Sequence, residues 1–220
     1  VTLVEQHKMG GDCLNYGCVP SKALIKTATL VRQMRHSTDY GVAQASWTLD
    51  FAQVMQRVAH VVREVEPHDS VQRYTGLGVD VQLGTARIVD PWHVQITAAD
   101  GGVQTLATRS IVVATGARPF VPPLPGLEDC GYLTSDTLWG LRELPQRLVV
   151  LGGGPIGCEL AQSFARLGSA VTQVEMAARL MLREDEDVSA YAHKALQADG
   201  VTVLTGHKAL RCEKQGMDKF

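Results

Sequence analysis

The sequence predicts an α/β chain with two doubly wound halves, neither complete, and a small antiparallel β-meander in the first. Three observations carry this reading. Between residues 148 and 204, short apolar runs alternate with helix-period runs, in the order strand, glycine-rich turn, helix, strand, helix, strand. Between 79 and 97 the period drops to two, in VDVQLGTARIVD and HVQIT. Pro119, Pro122, Pro123 and Pro125 cluster within a few residues and mark a linker between the halves.

Taken in order, Val1 to Glu5 reads as a buried strand ending in an acid. A helix follows from Ser21 to about Arg35, with Ala23, Leu24, Thr27, Leu30, Val31 and Met34 as its apolar stripe. A second helix is expected from about Leu49 to Glu66 on Phe51, Val54, Met55, Val58, Val61, Val62 and Val65. Pro67 closes it, and a short helical piece covers Ser70 to Tyr74. The meander turns at Asp90-Pro91 and ends at Asp100-Gly101-Gly102, and Ser110–Thr115 reads as another strand, stopped by Gly116. After the linker come strand Leu148–Leu151, helix Pro155–Leu167, strand Val171–Glu175, helix Glu186–Asp199 and strand Val201–Leu204. Each half has a strand ending in Val-Glu, which points to distant structural repeats.

At 220 residues there is room for one large or two modest domains. Hydrophobic residues at 45% and charged residues at 20% are ordinary for a globular protein. A net charge of −2 gives no electrostatic reason to expect nucleic acid or an anionic membrane as partner. No run approaches the about 18 apolar residues of a spanning helix, and the first residues do not read as a signal peptide. Five cysteines with one close pair do not make a secreted disulfide scaffold, so a cytoplasmic protein is expected. Both ends read as cut: Val1 is already inside an apolar run, and Phe220 follows soon after another.

Cys13 and Cys18 stand five positions apart, between Gly10-Gly11 and the helix opener Val19-Pro20-Ser21-Lys22. At the mouth of a helix such a pair suits a redox-active disulfide better than a structural one. A bridge needs Cα atoms within about 7 Å, which a bent segment or an opening helical turn provides. Gly17 is expected to relieve crowding between the sulfurs, and Pro20 suits a first helical turn. The helix dipole and free N–H groups are expected to lower a thiol's pKa there. A structural zinc site and two unrelated buried cysteines are the competing readings. Zinc commonly takes four ligands from two close pairs, whereas Cys130, Cys158 and Cys212 are isolated in the sequence.

Gly152-Gly153-Gly154-Pro155-Ile156-Gly157 satisfies G-x-G-x-x-G directly after a strand and at the start of a helix. Glycines at Gly152, Gly154 and Gly157 allow a tight turn, close approach of a pyrophosphate and helix–strand packing, with the anion on the helix amino end. Glu175, closing the next strand, is placed to accept hydrogen bonds from ribose hydroxyls and to repel a 2′-phosphate, which favours NADH over NADPH. Arg179 and Arg183 stand nearby as the counter-argument.

The stretch GGDCLNYGCVPSK, Gly10 to Lys22, resembles the active-site signature of the flavin-dependent pyridine nucleotide-disulfide oxidoreductases, the family of dihydrolipoamide dehydrogenase, glutathione reductase and mercuric reductase. The resemblance runs from Val1 to about Phe220 and implies two Rossmann-like dinucleotide-binding domains. These are an FAD-binding domain over 1–118, a linker over 119–146 and the first half of an NAD(P)-binding domain over 147–220. It implies that Glu5 binds the adenosine ribose of FAD and that Gly10, Gly11, Asp12, Lys22, Ala86, Ala114, Thr115 and Gly116 line FAD. Gly152, Gly154, Ile156, Gly157 and Glu175 then bind the nicotinamide dinucleotide. The glycine motif for FAD belongs to a strand and helix that precede Val1 in that family.

By the same resemblance, electrons pass from NAD(P)H through FAD to a Cys13–Cys18 disulfide and on to a thiol, disulfide or metal-ion substrate. Cys18 is then the flavin-proximal sulfur and Cys13 the interchange sulfur. Lys22 and Glu159 match the family's ion pair beside the flavin, and no resident metal is implied. Asp12, Tyr16 and the Gly154–Gly157 turn are most similar to mercuric-reductase-like members, with dihydrolipoamide dehydrogenases next. The family's carboxy-terminal dimerisation domain, with its His–Glu acid-base pair, has no counterpart in the sequence, so a homodimer is implied for the full-length protein only. His60 and Glu64 read as a solvated pair. The alternative expectation is a non-catalytic fragment of such an enzyme that at most binds a dinucleotide.

Overall fold

The computed structural model describes residues 1–43, 45–216 and 218–219, so Phe220 and Met217 of the expected 147–220 domain lie outside the described residues. The chain divides into two compact units, Val1–Val19 with His60–Arg118, and Pro20–Ala59 with Pro119–Phe220.

The first unit is built on a four-stranded sheet of β1 (Thr2–Glu5), β2 (Asp80–Asp90), β3 (His93–Ala98) and β4 (Val103–Ala107), in that order. β1 runs parallel to β2 with Glu5 opposite Leu83, and β2, β3 and β4 form the expected antiparallel meander. The meander has a third strand beyond the expected end at Gly102. Gly101, at φ 86°, turns the chain so that Val103 pairs with Thr97. Two short helices complete this unit: α1 (Gly11–Asn15), whose Leu14 is buried, and α4 (Val71–Gly76), capped by the Ser70 hydroxyl accepting from the Arg73 amide.

The second unit holds a parallel sheet in the order β5 (Arg147–Leu151), β6 (Ala170–Glu175), β7 (Thr202–Thr205), with α6 (Pro155–Leu167) and α7 (Glu186–Ala198) as crossovers. Short parallel strands need such crossover helices, which cover the ladder and bury their own apolar stripe against it. α2 (Cys18–Arg35) contributes its residues from Pro20 onward, and α3 (Phe51–Val65) contributes its first turns. The rings of Phe51 and Phe164 lie 6.1 Å apart, and Ala28, Val58, Ala161 and Ala165 are buried in the same core. The linker carries a short helix, α5 (Leu127–Cys130), and Lys214–Gln215 pairs with Asp218–Lys219 as a two-residue ribbon.

Three expectations are corrected. α2 begins at Cys18, not Ser21, because Pro20 is accommodated in the first turn, where its missing N–H is not needed. Its buried side comprises Pro20, Ala23, Leu24, Ala28 and Val31, whereas Leu30 is 54% exposed. The run Ser110–Thr115 is not a strand: it is apolar and β-branched, but among the described residues no strand pairs with it, and Val112 is 89% exposed.

Candidate active site

The cysteine loop is shaped by backbone contacts. Gly10, at φ 83°, leads into α1, and its carbonyl accepts from the Leu14 amide at 3.2 Å. The chain then reverses sharply, with the Tyr16 and Gly17 amides both donating to the Asp12 carbonyl, at 2.9 and 2.6 Å. A Cβ at Gly17 would meet that carbonyl oxygen at 3.1 Å and the Cys13 Cα at 3.6 Å. The crowding that favours glycine here comes from backbone atoms, not from the sulfurs as expected. The turn brings Cys13 and Cys18 together as an unbridged, hydrogen-bonded pair, both exposed.

The hydrogen bond with Cys18 pushes the Cys13 pKa up, and burial and the Cys18 charge add to it. The Cys18 amide, which stabilises the thiolate, does not offset them.

Lys22, one helical turn beyond Cys18, extends its ammonium to Glu159 on α6, with Nζ–Oε1 at 2.7 Å and Nζ–Oε2 at 2.8 Å. The pair is open to solvent, with side chains 59% and 35% exposed. The same two helices meet again at Asp199, just past α7, a carboxylate only 5% exposed. It accepts from Arg32 Nε at 2.9 Å, Arg166 Nε at 2.9 Å and Gln162 Nε2 at 2.7 Å. Asp199 thus ties α2 and α6 to the end of α7. Nothing in the sequence of a residue closing a helix announces three distant partners.

The second unit's glycine turn links β5 to α6. Gly152 has φ 111°, a region that favours glycine. A Cβ at Gly157 would sit 2.4 Å from the Gly152 carbonyl oxygen, so only glycine lets α6 approach β5. Gly154 has open space at its Cβ and no side-chain cap on the helix it begins, which leaves room at the amino end for an anion. Ile156 is 63% exposed at that end. Gly153 is also demanding, since a Cβ would lie 2.7 Å from Leu180 and 2.9 Å from Glu175. Glu175 reaches the turn, accepting from the Gly153 amide at 2.5 Å and the Ala177 amide at 2.7 Å. Arg179 is engaged in its own loop, donating to the carbonyls of Met181, Leu182 and Glu184.

In the first unit, Glu5 closes β1 and accepts from the His7 amide at 2.7 Å. It borders a cavity of about 560 Å³ with Gln6, His7, Leu83, Gly84, Thr85 and Thr97 among its walls. A Cβ at Gly84 would lie 2.5 Å from the Thr97 carbonyl oxygen, so glycine is what lets β2 and β3 approach there. Ala86 stands further along β2, exposed and opposite Ile96. Asp12 reaches the other expected segment: it accepts from the Ala117 amide at 3.2 Å, and a Cβ on Gly116 would be 3.1 Å from its carboxylate. Gly11 shares the positive-φ turn with Gly10, whereas Ala114 and Thr115 lie in an extended, exposed segment. His60 and Glu64 are an exposed pair at 3.2 Å.

A parallel sheet with a glycine turn and a closing acid, and a paired-cysteine loop that opens a helix, are the features that the comparisons with known proteins bear on. Residues 1–219 match the family described as pyridine nucleotide-disulphide oxidoreductase, and the chain belongs to that family. It is 32% identical to a mercuric reductase of Lysinibacillus sphaericus over 98% of this chain and 39% of that protein. It is 35% identical to a dihydrolipoyl dehydrogenase of Chlorobaculum parvum over 94% of this chain and 44% of that protein. Among solved structures, LpdA of Mycobacterium tuberculosis superposes with a TM-score of 0.85 at 25% identity, covering 100% of this chain and 48% of that one. The chain therefore spans less than half the length of these relatives. No described helix is long and apolar enough to cross a membrane.

Proposed function

We propose that these residues serve a flavin-dependent disulfide oxidoreductase, in which electrons from NADH reach the Cys13–Cys18 pair through FAD and leave for a thiol, disulfide or metal-ion substrate. The observation that carries this is the contact between Cys13 and Cys18 at the start of α2. In this reading residues 1–118 form the flavin domain, 119–146 the linker and 147–220 the pyridine-nucleotide domain. The working enzyme is a cytoplasmic homodimer.

The residues present fit both nucleotides. The Gly157 approach, the uncapped start of α6 and the acid at Glu175 suit a pyrophosphate and ribose. Glu5 beside its cavity suits a second ribose, with Asp12, Gly10, Gly11 and Gly116 on the cysteine side. FAD, when bound, supplies a two-electron carrier between nicotinamide and disulfide. Glu175 favours NADH, since an acid at the ribose repels a 2′-phosphate and Arg179 is already taken by backbone carbonyls. In the full-length enzyme, Glu175→Ala is expected to reduce the kcat/KM preference for NADH over NADPH, and a native preference for NADPH would overturn the assignment.

Once the pair is reduced, Cys13 gives up its proton and attacks a substrate disulfide, releasing one substrate thiol. Cys18 then attacks the Cys13 sulfur, closing the intramolecular bridge and releasing the second. The raised Cys13 pKa means that the first attack needs a base, the role the family gives to a His–Glu pair of the partner subunit. Lys22, on the helix that Cys18 opens and paired with Glu159 of α6, would supply a positive charge to a flavin that gathers negative charge on reduction. The test is anaerobic addition of NADH to the flavin-loaded full-length protein, with thiols counted before and after. Two new thiols per chain are expected, none in a Cys18→Ser variant, and no change in the native protein would refute the proposal.

The exposed, unladdered run Ser110–Thr115 favours a second reading for this chain in isolation, a dinucleotide-binding piece without flavin. Flavin-region absorbance of the purified chain separates the two.

A further inference from the structure

Cys130 and Cys212, isolated in sequence, meet in the second unit. Cys130 ends α5, where its amide donates to the Gly126 carbonyl at 3.0 Å. Cys212 crosses the start of the same helix. Its amide donates to the Pro125 carbonyl at 2.8 Å, and its own carbonyl oxygen packs so closely on Gly126 that a Cβ there would be 2.1 Å away. Cys130 is buried and Cys212 half-buried, and the two thiols lie near enough for each to influence the other. Burial foremost, then the Cys130 charge and hydrogen bond, push the Cys212 thiol pKa up.

We propose that Cys130 and Cys212 form a second, oxidisable dithiol that closes to a disulfide and staples the segment after β7 to the linker ahead of β5. This inference does not depend on the function proposed above. A small-molecule disulfide is the oxidant. The more accessible Cys212, as thiolate, attacks one of its sulfurs and expels one small thiol. Cys130 loses its proton and attacks the Cys212 sulfur, expelling the second small thiol and leaving the protein bridge. Two protein thiols are oxidised and one small disulfide is reduced to two thiols. Because Cys212 reacts as thiolate from a raised pKa, the closure rate should climb about tenfold per pH unit up to at least pH 9. Burial of Cys130 makes the order of attack definite: the small disulfide meets Cys212 first.

The experiment uses the full chain with Cys13→Ser and Cys18→Ser, which leaves three of the five cysteines. The reduced protein is equilibrated with oxidised glutathione, quenched with N-ethylmaleimide, and analysed by thiol titration in denaturant and non-reducing peptide mapping. The expected result is one remaining thiol, on Cys158, and a peptide joining Cys130 to Cys212 within one chain. In a Cys130→Ser variant, Cys212 should instead retain glutathione as a stable mixed disulfide. The same peptide map on the unsubstituted chain, where all five cysteines are native, guards against misfolding of the variants. Three persistent thiols, glutathione stably held on Cys212 despite an intact Cys130, or a bridge to Cys158 or to a second chain would each overturn the proposal.

Discussion

Gly157→Ala and Gly154→Ala replace glycine by the same residue three positions apart in one turn, yet the structure assigns them different costs. At Gly157 the new Cβ lies 2.4 Å from the Gly152 carbonyl oxygen, a backbone atom that cannot rotate away. Relief requires α6 and β5 to separate by about 1 Å, an overpacking cost of about 1–3 kcal/mol. That carbonyl also accepts from Gln173 Nε2 at 2.9 Å. Gln173 is fully buried, its Oε1 has no hydrogen-bond partner among the described residues, and its Nε2 otherwise reaches only the Cys158 sulfur at 3.5 Å, so losing the bond to the Gly152 carbonyl adds about 1 kcal/mol. The better helix propensity of alanine returns about 1 kcal/mol, leaving a net loss of about 2 kcal/mol and a Tm about 4–8 °C lower. At Gly154 the Cβ meets nothing within 4 Å and φ is −76°, so stability should hold, with Tm changed by only about 1 °C. The methyl instead occupies the space into which a pyrophosphate descends, weakening NADH binding about tenfold, or about 1.4 kcal/mol. Thermal melts and calorimetric NADH titrations of the two variants decide the matter. A native Tm for Gly157→Ala, or native NADH affinity for Gly154→Ala, would refute the reasoning.

Asp199→Ala should destabilise the fold by about 3 kcal/mol in urea titrations, because it leaves Arg166, whose side chain is only 17% exposed, without its carboxylate. An effect under about 0.5 kcal/mol, normal for a surface change, would remove Asp199 as a tie between helices. Lys22→Ala and Glu159→Ala should show a stability coupling below about 1 kcal/mol in a double-mutant cycle, given their exposure. Their coupling in stopped-flow flavin reduction by the full-length enzyme should exceed that figure, and strictly additive kinetics would take the pair out of the mechanism. In the reduced chain, alkylation of Cys13 followed by peptide mass spectrometry should show a midpoint above the ordinary thiol value of 9.0. Below that midpoint the protonated, unreactive form dominates. Cys18→Ala removes the main cause and should move the midpoint down, so an unchanged midpoint would count against the contact.

What was legible in the sequence was whatever chemistry is local. The strand–turn–helix–strand–helix–strand order of the second half falls within about a residue of the observed bounds, because period, glycine and proline act within a few positions. The paired-cysteine turn is likewise local, closed by contacts among residues 10 to 18, but its redox reading drew on family resemblance more than on spacing. Lys22 and Glu159 were matched through family resemblance, not through any physical signal joining residues so far apart.

Only the tertiary structure could decide which residues meet across the chain. Ala28 is fully buried on α2 while Leu30 is 54% exposed, the reverse of what their hydrophobicity suggests, because burial depends on which elements pack against each position. Ser110–Thr115 has strand composition, but a strand exists only where a neighbour takes its hydrogen bonds. Gly153, Asp199 and the Cys130–Cys212 contact carry no local pattern at all. Their roles come from a leucine, two arginines and a second thiol delivered from distant segments, and spacing along a chain does not encode that proximity.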